Sequence, residues 1–271
     1  INMRNLIKED IRRIKELIFI KENKEDLGKY MDSTYLKTSD QAGISDEETD
    51  VIIFDKIKDA IEHNMKLVMI RPEYVKTARE FIDSKGANVL VGTVIGFPHG
   101  DAWIGEKFDE AMEAIQNGVD ELDYVVNYKA FQKGDLDTIW KEVGEGTIIG
   151  IDAGKVVKWI IESAALTSDQ IAELTRLISE IVIQSVGEEK ARNVFVKTST
   201  GVFTPEDGSP GGATIDAVSI MSQNAGPLKV KASGGIYSKD DVLDMVNAGA
   251  SRIGTSAAKE IILGKETNKD Y

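Results

Sequence analysis

The sequence predicts an α/β chain folded as a (β/α)8 TIM barrel with an extra N-terminal helix. Short apolar runs of strand length alternate strictly with helical patterns, the mark of parallel βαβ units. Eight such runs fall within about 240 residues, which suits a closed barrel better than an open doubly wound sheet. No linker, repeat or low-complexity stretch divides the chain, so residues 1–271 read as one barrel domain. Within it, 1–28 is an N-terminal helical extension and 264–271 a polar C-terminal tail.

Residues 4 to 20 place Ile7, Ile11, Ile14 and Ile18 at helical spacing among charges, which predicts an amphipathic helix covering the bottom of the domain. The run from Tyr30 to Lys37 is the first strand, with Asp32, Thr34 and Leu36 on one face by period-two alternation. Ser45-Asp46-Glu47-Glu48 has a capping-box pattern and starts a helix that ends near Asn64. The remaining strands are expected at Lys66–Ile70, Val89–Ile95, Glu121–Asn127, Val156–Ser163, Val194–Thr200, Leu228–Ser233 and Arg252–Ser256. Helical patterns between them cover Tyr74–Lys85, Glu106–Asn117, Thr138–Glu145, Ser168–Val186, Thr214–Gln223 and Lys239–Asn247. The third of these is the weakest, because Gly144, Gly146, Gly150 and Gly154 blur the boundary with the strand that follows.

Composition excludes several classes of function. No apolar run approaches the ~18 residues of a membrane span, and charges throughout the first twenty residues leave no signal-peptide core. A formal charge of −13 argues against nucleic acid as a partner and requires any phosphate site to be built locally. With no cysteine there is no disulfide framework and no thiolate ligand or nucleophile, which fits the cytoplasm. The two histidines, His63 and His99, cannot form a three-histidine metal centre.

Two strands each deliver a lysine and then turn through small residues: Val194-Phe195-Val196-Lys197-Thr198-Ser199-Thr200-Gly201 and Leu228-Lys229-Val230-Lys231-Ala232-Ser233-Gly234-Gly235. Burying an ammonium is costly, so two lysines at matching places call for a reason. Parity along the strands puts Asp123, Lys158, Glu162, Lys197 and Lys231 in the barrel lumen. One reading is a structural ion-pair network. The other is a Schiff-base nucleophile whose pKa a second lysine depresses. Lys197 and Lys231 stand at C-terminal strand ends, where barrel enzymes keep their sites, and this favours the second. The turns Ser233-Gly234-Gly235 and Gly254-Thr255-Ser256 follow the last two strands, the usual place of a phosphate cradle in this fold.

Val196-Lys197-Thr198-Ser199-Thr200-Gly201, Lys231-Ala232-Ser233-Gly234-Gly235-Ile236, Gly96-Phe97-Pro98-His99-Gly100 and Glu121-Leu122-Asp123 together resemble the deoxyribose-phosphate aldolase family, over roughly Tyr30 to Ala258. The resemblance implies a class I aldolase that reversibly cleaves 2-deoxyribose 5-phosphate to acetaldehyde and glyceraldehyde 3-phosphate, with no cofactor and no metal. It implies that Lys197 forms the imine, Lys231 holds its pKa down, Asp123 relays protons through a water and Tyr271 assists proton transfer. Substrate and phosphate are expected on Thr200, Gly201, Ser233, Gly234, Gly235, Gly254, Thr255 and Ser256, with Asp32, Lys158 and Glu162 in support. The partners implied are small aldehydes and sugar phosphates rather than nucleic acid or membrane, and a homodimer is open through the N-terminal helix. Tyr237 departs from the arginine that relatives often carry there. Another Schiff-base lyase of the same fold, or a sugar-phosphate-binding barrel without catalysis, are the rival readings.

Overall fold

The computed structural model describes residues 24–206, 208–209, 211–265 and 267. The helix expected over 4–20, most of the 1–28 extension and Tyr271 lie outside the described residues. Eight parallel strands close a barrel in sequence order. They are β1 Met31–Thr34, β2 Leu67–Ile70, β3 Leu90–Ile95, β4 Glu121–Val125, β5 Val156–Ile160, β6 Val194–Lys197, β7 Lys229–Ser233 and β8 Arg252–Thr255. β8 pairs back onto β1 through Asp32 and Gly254. The principal helices are α1 Asp46–Glu62, α2 Val75–Ser84, α3 Ile104–Gln116, α4 Leu136–Asp152, α5 Ser168–Ala191, α6 Ile215–Asn224, α7 Lys239–Ala248 and α8 Ala258–Leu263.

The start signals act as the sequence suggests. Ser45 Oγ accepts from the Glu48 amide at 3.2 Å, and Glu48 Oε2 accepts from the Ser45 amide at 2.9 Å. The two reciprocal bonds satisfy amides that helix geometry leaves without partners. Strand ends are shorter than the apolar runs: β5 stops at Ile160 and β6 at Lys197. The residues beyond them, Glu162 and Thr198 to Thr200, leave the ladder to form the rim of the barrel mouth.

α4 is the largest correction. It runs seven residues past the expected end at Glu145, straight through Gly144, Gly146 and Gly150. Glycine costs about 0.5–1 kcal/mol inside a helix, so packing must outweigh propensity here. A side chain at Gly146 would lie 2.9 Å from the Trp159 ring, and one at Gly150 would overlap Val157. The glycines thus let α4 lie directly on β5. Trp159 in turn stacks on Tyr124 with ring centroids 4.7 Å apart and donates to Thr147 Oγ1 at 3.0 Å. α5 continues beyond Val186 only after a break at Gly187 (φ 82°).

The lumen has two unlike halves. On the side of β1 to β3 it is filled by Leu36, Leu67, Met69 and Val94, with Leu90 and Phe97 against them. On the side of β4 to β8, and at Asp32, it holds the buried charged groups together with apolar side chains such as Phe195, over whose ring the Arg252 guanidinium lies at 5.9 Å.

Candidate active site

The strand register builds the charged half of the lumen. β6 and β7 align Lys197 with Lys231, and β4 and β5 align Asp123 with Lys158. All four side chains point inward and are buried. Asp123 is the hub. Its Oδ2 accepts from Lys197 Nζ at 3.0 Å and from Lys231 Nζ at 2.9 Å, while Oδ1 accepts from Lys158 Nζ at 2.5 Å. Lys231 Nζ also contacts Asp32 Oδ2 at 2.6 Å. One layer lower, Lys158 Nζ reaches Glu121 Oε2 at 2.6 Å, and the Arg252 guanidinium bridges Glu121, at 3.1 Å, and Asp32.

The charges in this cluster decide which amine is neutral. Three carboxylates, Asp32, Glu121 and Asp123, face four basic side chains, Lys158, Lys197, Lys231 and Arg252. An uncompensated buried charge is expensive, so the cluster balances when one base gives up its proton. Among the described residues Lys231 has two carboxylate contacts and Lys158 has two, whereas Lys197 has only its share of Asp123. Burial and then the Lys231 ammonium lower the Lys197 pKa to about 8, against the opposing pull of Asp123. Burial alone would raise the Asp123 carboxyl, but Lys158, Lys231 and Lys197 outweigh it and hold it well below the usual carboxylate range. Asp32 behaves likewise: Arg252, Lys231 and Lys158 overcome burial and lower it to about 2. Lys158 rises above the ordinary lysine value, because Asp123, Glu121 and Asp32 overcome the desolvation that opposes them.

Glu162 lies just past β5 with a left-handed backbone (φ 51°), unusual for a residue with a side chain. Its Oε2 accepts from both the Thr200 hydroxyl, at 2.5 Å, and the Thr200 amide, at 3.2 Å. Burial raises its carboxyl to about 7, even against those two hydrogen bonds and the nearby Lys197. Glu162 therefore grips the turn that follows Lys197 rather than joining the cluster around Asp123.

Above Lys197 opens a cleft that is partly open to solvent. Thr200, Gly201, Ser233, Gly234, Gly235, Gly254, Thr255 and Ser256 all line it, so the three turns expected to hold a phosphate converge on one space. Gly201 and Gly234 adopt φ of 80° and 83°. A side chain at Gly234 would meet Gly212 Cα and Ser199 Oγ at 2.9 Å, which is why this turn must stay bare. Ser199 and Ser233 lock the two lysine-bearing strands together, Ser233 Oγ donating to the Ser199 carbonyl at 2.7 Å and Ser199 Oγ to the Ser233 carbonyl at 2.6 Å.

Sequence reasoning missed Glu121 and Arg252 as members of the cluster, and also Lys37 and Gln41 in the cleft wall; Tyr237, noted in the sequence only as a departure from arginine, lines the same wall. The first two had a signal. Glu121 stands two residues before Asp123 and Arg252 two before Gly254, so the parity rule that found their neighbours covers them. Lys37 and Tyr237 lie on loops, where no periodicity applies, and Gln41 lies in a single helical turn, Ser39–Ala42, too short to show one. Among the described residues no group of three or more histidine, cysteine, aspartate or glutamate side chains is arranged to hold a metal ion.

No protein-family model matches the chain. Individual relatives do. It is 39% identical over 248 residues to the deoxyribose-phosphate aldolase of Staphylococcus carnosus, covering 91% of this chain and 100% of the relative. To that of Staphylococcus haemolyticus it is 38% identical over 238 residues, covering 88% and 99%. To that of Thermococcus gammatolerans it is 37% identical over 240 residues, covering 88% and 96%. Among solved structures, the tetrameric deoxyribose phosphate aldolase from Aeropyrum pernix superposes with a TM-score of 0.73 at 28% identity, over 93% of this chain and 96% of that one.

Proposed function

The chain belongs to the deoxyribose-phosphate aldolase family, and from that membership we propose which of its residues carry each step. It is a class I aldolase that reversibly cleaves 2-deoxyribose 5-phosphate to acetaldehyde and glyceraldehyde 3-phosphate. Lys197 is the amine that attacks the open-chain aldehyde. Loss of water then leaves a protonated imine, which is the electron sink a retro-aldol reaction needs. The bond between the second and third carbons of the sugar breaks as the hydroxyl on the third carbon gives up its proton. Its electron pair moves into an enamine on Lys197. Protonation of that enamine and hydrolysis of the imine release acetaldehyde and restore the free amine.

The observation that carries this assignment is the contrast between two lysines on one carboxylate oxygen. Lys197, at about 8, has a neutral fraction near neutrality that an ordinary lysine lacks. Lys231, tied to both Asp32 and Asp123, is the neighbouring cation that helps to lower it. Asp123 stays an anion over the working range. Its part in proton transfer is to accept hydrogen bonds from the two amines and from a water that takes the substrate proton.

The substrate phosphate is assigned to the turns after β6, β7 and β8, with backbone amides as donors. Tyr271 is assigned to proton transfer at the mouth. Thr267 Oγ1 donates to the carbonyl of the cleft residue Tyr237 at 2.9 Å, which places Thr267 at the rim. Four further residues span at most about 14 Å. Among the described residues no helix is long and apolar enough to cross a membrane. A cytoplasmic location and association of copies, the dimer included, belong to the same proposal. Activity is tested by following acetaldehyde release from 2-deoxyribose 5-phosphate. Absence of release from the folded protein at pH 8 would defeat the assignment.

A further inference from the structure

The cleft must hold a doubly charged phosphate on a protein whose formal charge is −13, so the attraction has to arise inside the cleft. Among the described residues that line it, Lys37 and Lys197 are the two cations, and no carboxylate is present. Lys197 stands at the inner end with its amine on Asp123, committed to the carbonyl chemistry. The longer side chains next to the glycine turns carry no charge: Val202 follows Gly201, and Tyr237 follows Ile236. Backbone amides of those turns offer hydrogen bonds but no full countercharge. The wall that could supply one is the segment leaving β1, where Lys37 lines the cleft.

That segment is fixed on both sides of Lys37. Before it, the Tyr35 amide donates to the Met69 carbonyl at 3.0 Å, and Arg71 Nη1 donates to the Leu36 carbonyl at 3.3 Å. After it, Thr38 and Gln41 exchange capping bonds of 3.0 and 3.3 Å. The backbone of Lys37 is therefore held at the cleft wall, and its half-buried side chain is a four-carbon stem carrying an ammonium.

We propose that Lys37 is the specificity-determining cation of the site. Its ammonium meets the phosphate that the turns after β6, β7 and β8 hold, and so selects phosphorylated over unphosphorylated substrate. The inference rests on the aldolase reading above and adds a residue from a strand that the glycine turns do not involve.

The test compares the wild-type chain with Lys37→Met and Lys37→Arg on 2-deoxyribose 5-phosphate and on 2-deoxyribose. Lys37→Met is expected to raise KM for the phosphorylated sugar about tenfold to a hundredfold, the loss of one charge-assisted contact, with kcat within about twofold. Activity on the unphosphorylated sugar stays unchanged, and Lys37→Arg recovers most of the loss. Equal losses on both sugars, or an unchanged KM for the phosphorylated one, overturn the proposal. Trapping of acetaldehyde on the wild-type protein by borohydride separately tests the aldolase reading. If that fails, titration with glyceraldehyde 3-phosphate still decides the role of Lys37, since Lys37→Met weakens this binding only if the inference holds.

Discussion

Lys197 and Lys231 aim their amines at the same atom, Oδ2 of Asp123, at 3.0 and 2.9 Å. Those two contacts keep the nitrogens within about 6 Å of each other, close enough for like charges to shift each other's titration. A purely structural network would give each lysine its own acid. Here Lys231 has a second carboxylate in Asp32 and Lys197 has none among the described residues, so the pair is asymmetric.

Lys231→Leu is expected to lower turnover and to move the pH profile upward. The variant loses the neighbouring cation that lowers Lys197, while Asp123, which raises it, remains. The acidic limb of the rate profile, set near pH 8 in the wild type, shifts toward the ordinary lysine value by about one unit or more. A rate profile measured from pH 6 to 10 checks this, and an unmoved limb removes Lys231 from its assigned role.

Asp123→Asn shifts the same limb the other way. Without the carboxylate, burial and Lys231 act on Lys197 unopposed, so the amine loses its proton at lower pH. The variant also leaves Lys158 and Lys231 with one carboxylate contact fewer each, which costs about 3–5 kcal/mol of stability by the usual cost of breaking a buried pair. Denaturant unfolding reads the second effect and imine formation against pH reads the first.

Glu162→Gln alters the dependence of stability on pH. A carboxyl raised in the folded chain from 4.5 to about 7 binds its proton more tightly there than in the unfolded chain. Its contribution is therefore full below the unfolded value and is lost as pH rises through about 7, with an upper bound of about 3 kcal/mol. Glutamine keeps an acceptor for Thr200 and does not titrate. The variant should gain on the wild type between pH 5 and pH 8 in parallel unfolding curves, and a constant difference would contradict the assignment.

Gly234→Ala tests the cleft wall. The added carbon meets Gly212 Cα and Ser199 Oγ at 2.9 Å and sits at φ 83°, so about 1–3 kcal/mol of strain is expected. KM for the phosphorylated sugar should rise while the amine of Lys197 still forms an imine with acetaldehyde. Unchanged KM would show that this turn does not touch the phosphate.

Much of this arrangement is legible in the sequence because a strand has a period of two. Once Lys197 and Lys231 are placed inward, parity brings Asp123 and Lys158 to them, and the structure joins all four. Glu121 and Arg252 obey the same rule, but their countercharge pattern shows only when β1, β4, β5 and β8 are closed into one ring. The extension of α4 was hidden for another reason: Gly146 and Gly150 lower helix propensity locally, and only Trp159 and Val157, distant neighbours in the fold, explain them. Lys37 and Tyr237 sit on loops, where no repeat constrains which way a side chain faces. Lys107 shows the limit most plainly. Its burial beside Glu142, with an N–O distance of 2.6 Å, joins α3 to α4, and neither helix pattern marks it as buried.

The most direct measurement is reductive trapping. The protein is incubated with acetaldehyde and borohydride at pH 8, digested, and the modified peptide identified by mass spectrometry. The account predicts a single adduct on Lys197, none on Lys231, and none after Lys197→Ala, which also lowers turnover by about 10³-fold or more. An adduct on Lys231, or an unmodified Lys197 in an active protein, would contradict it.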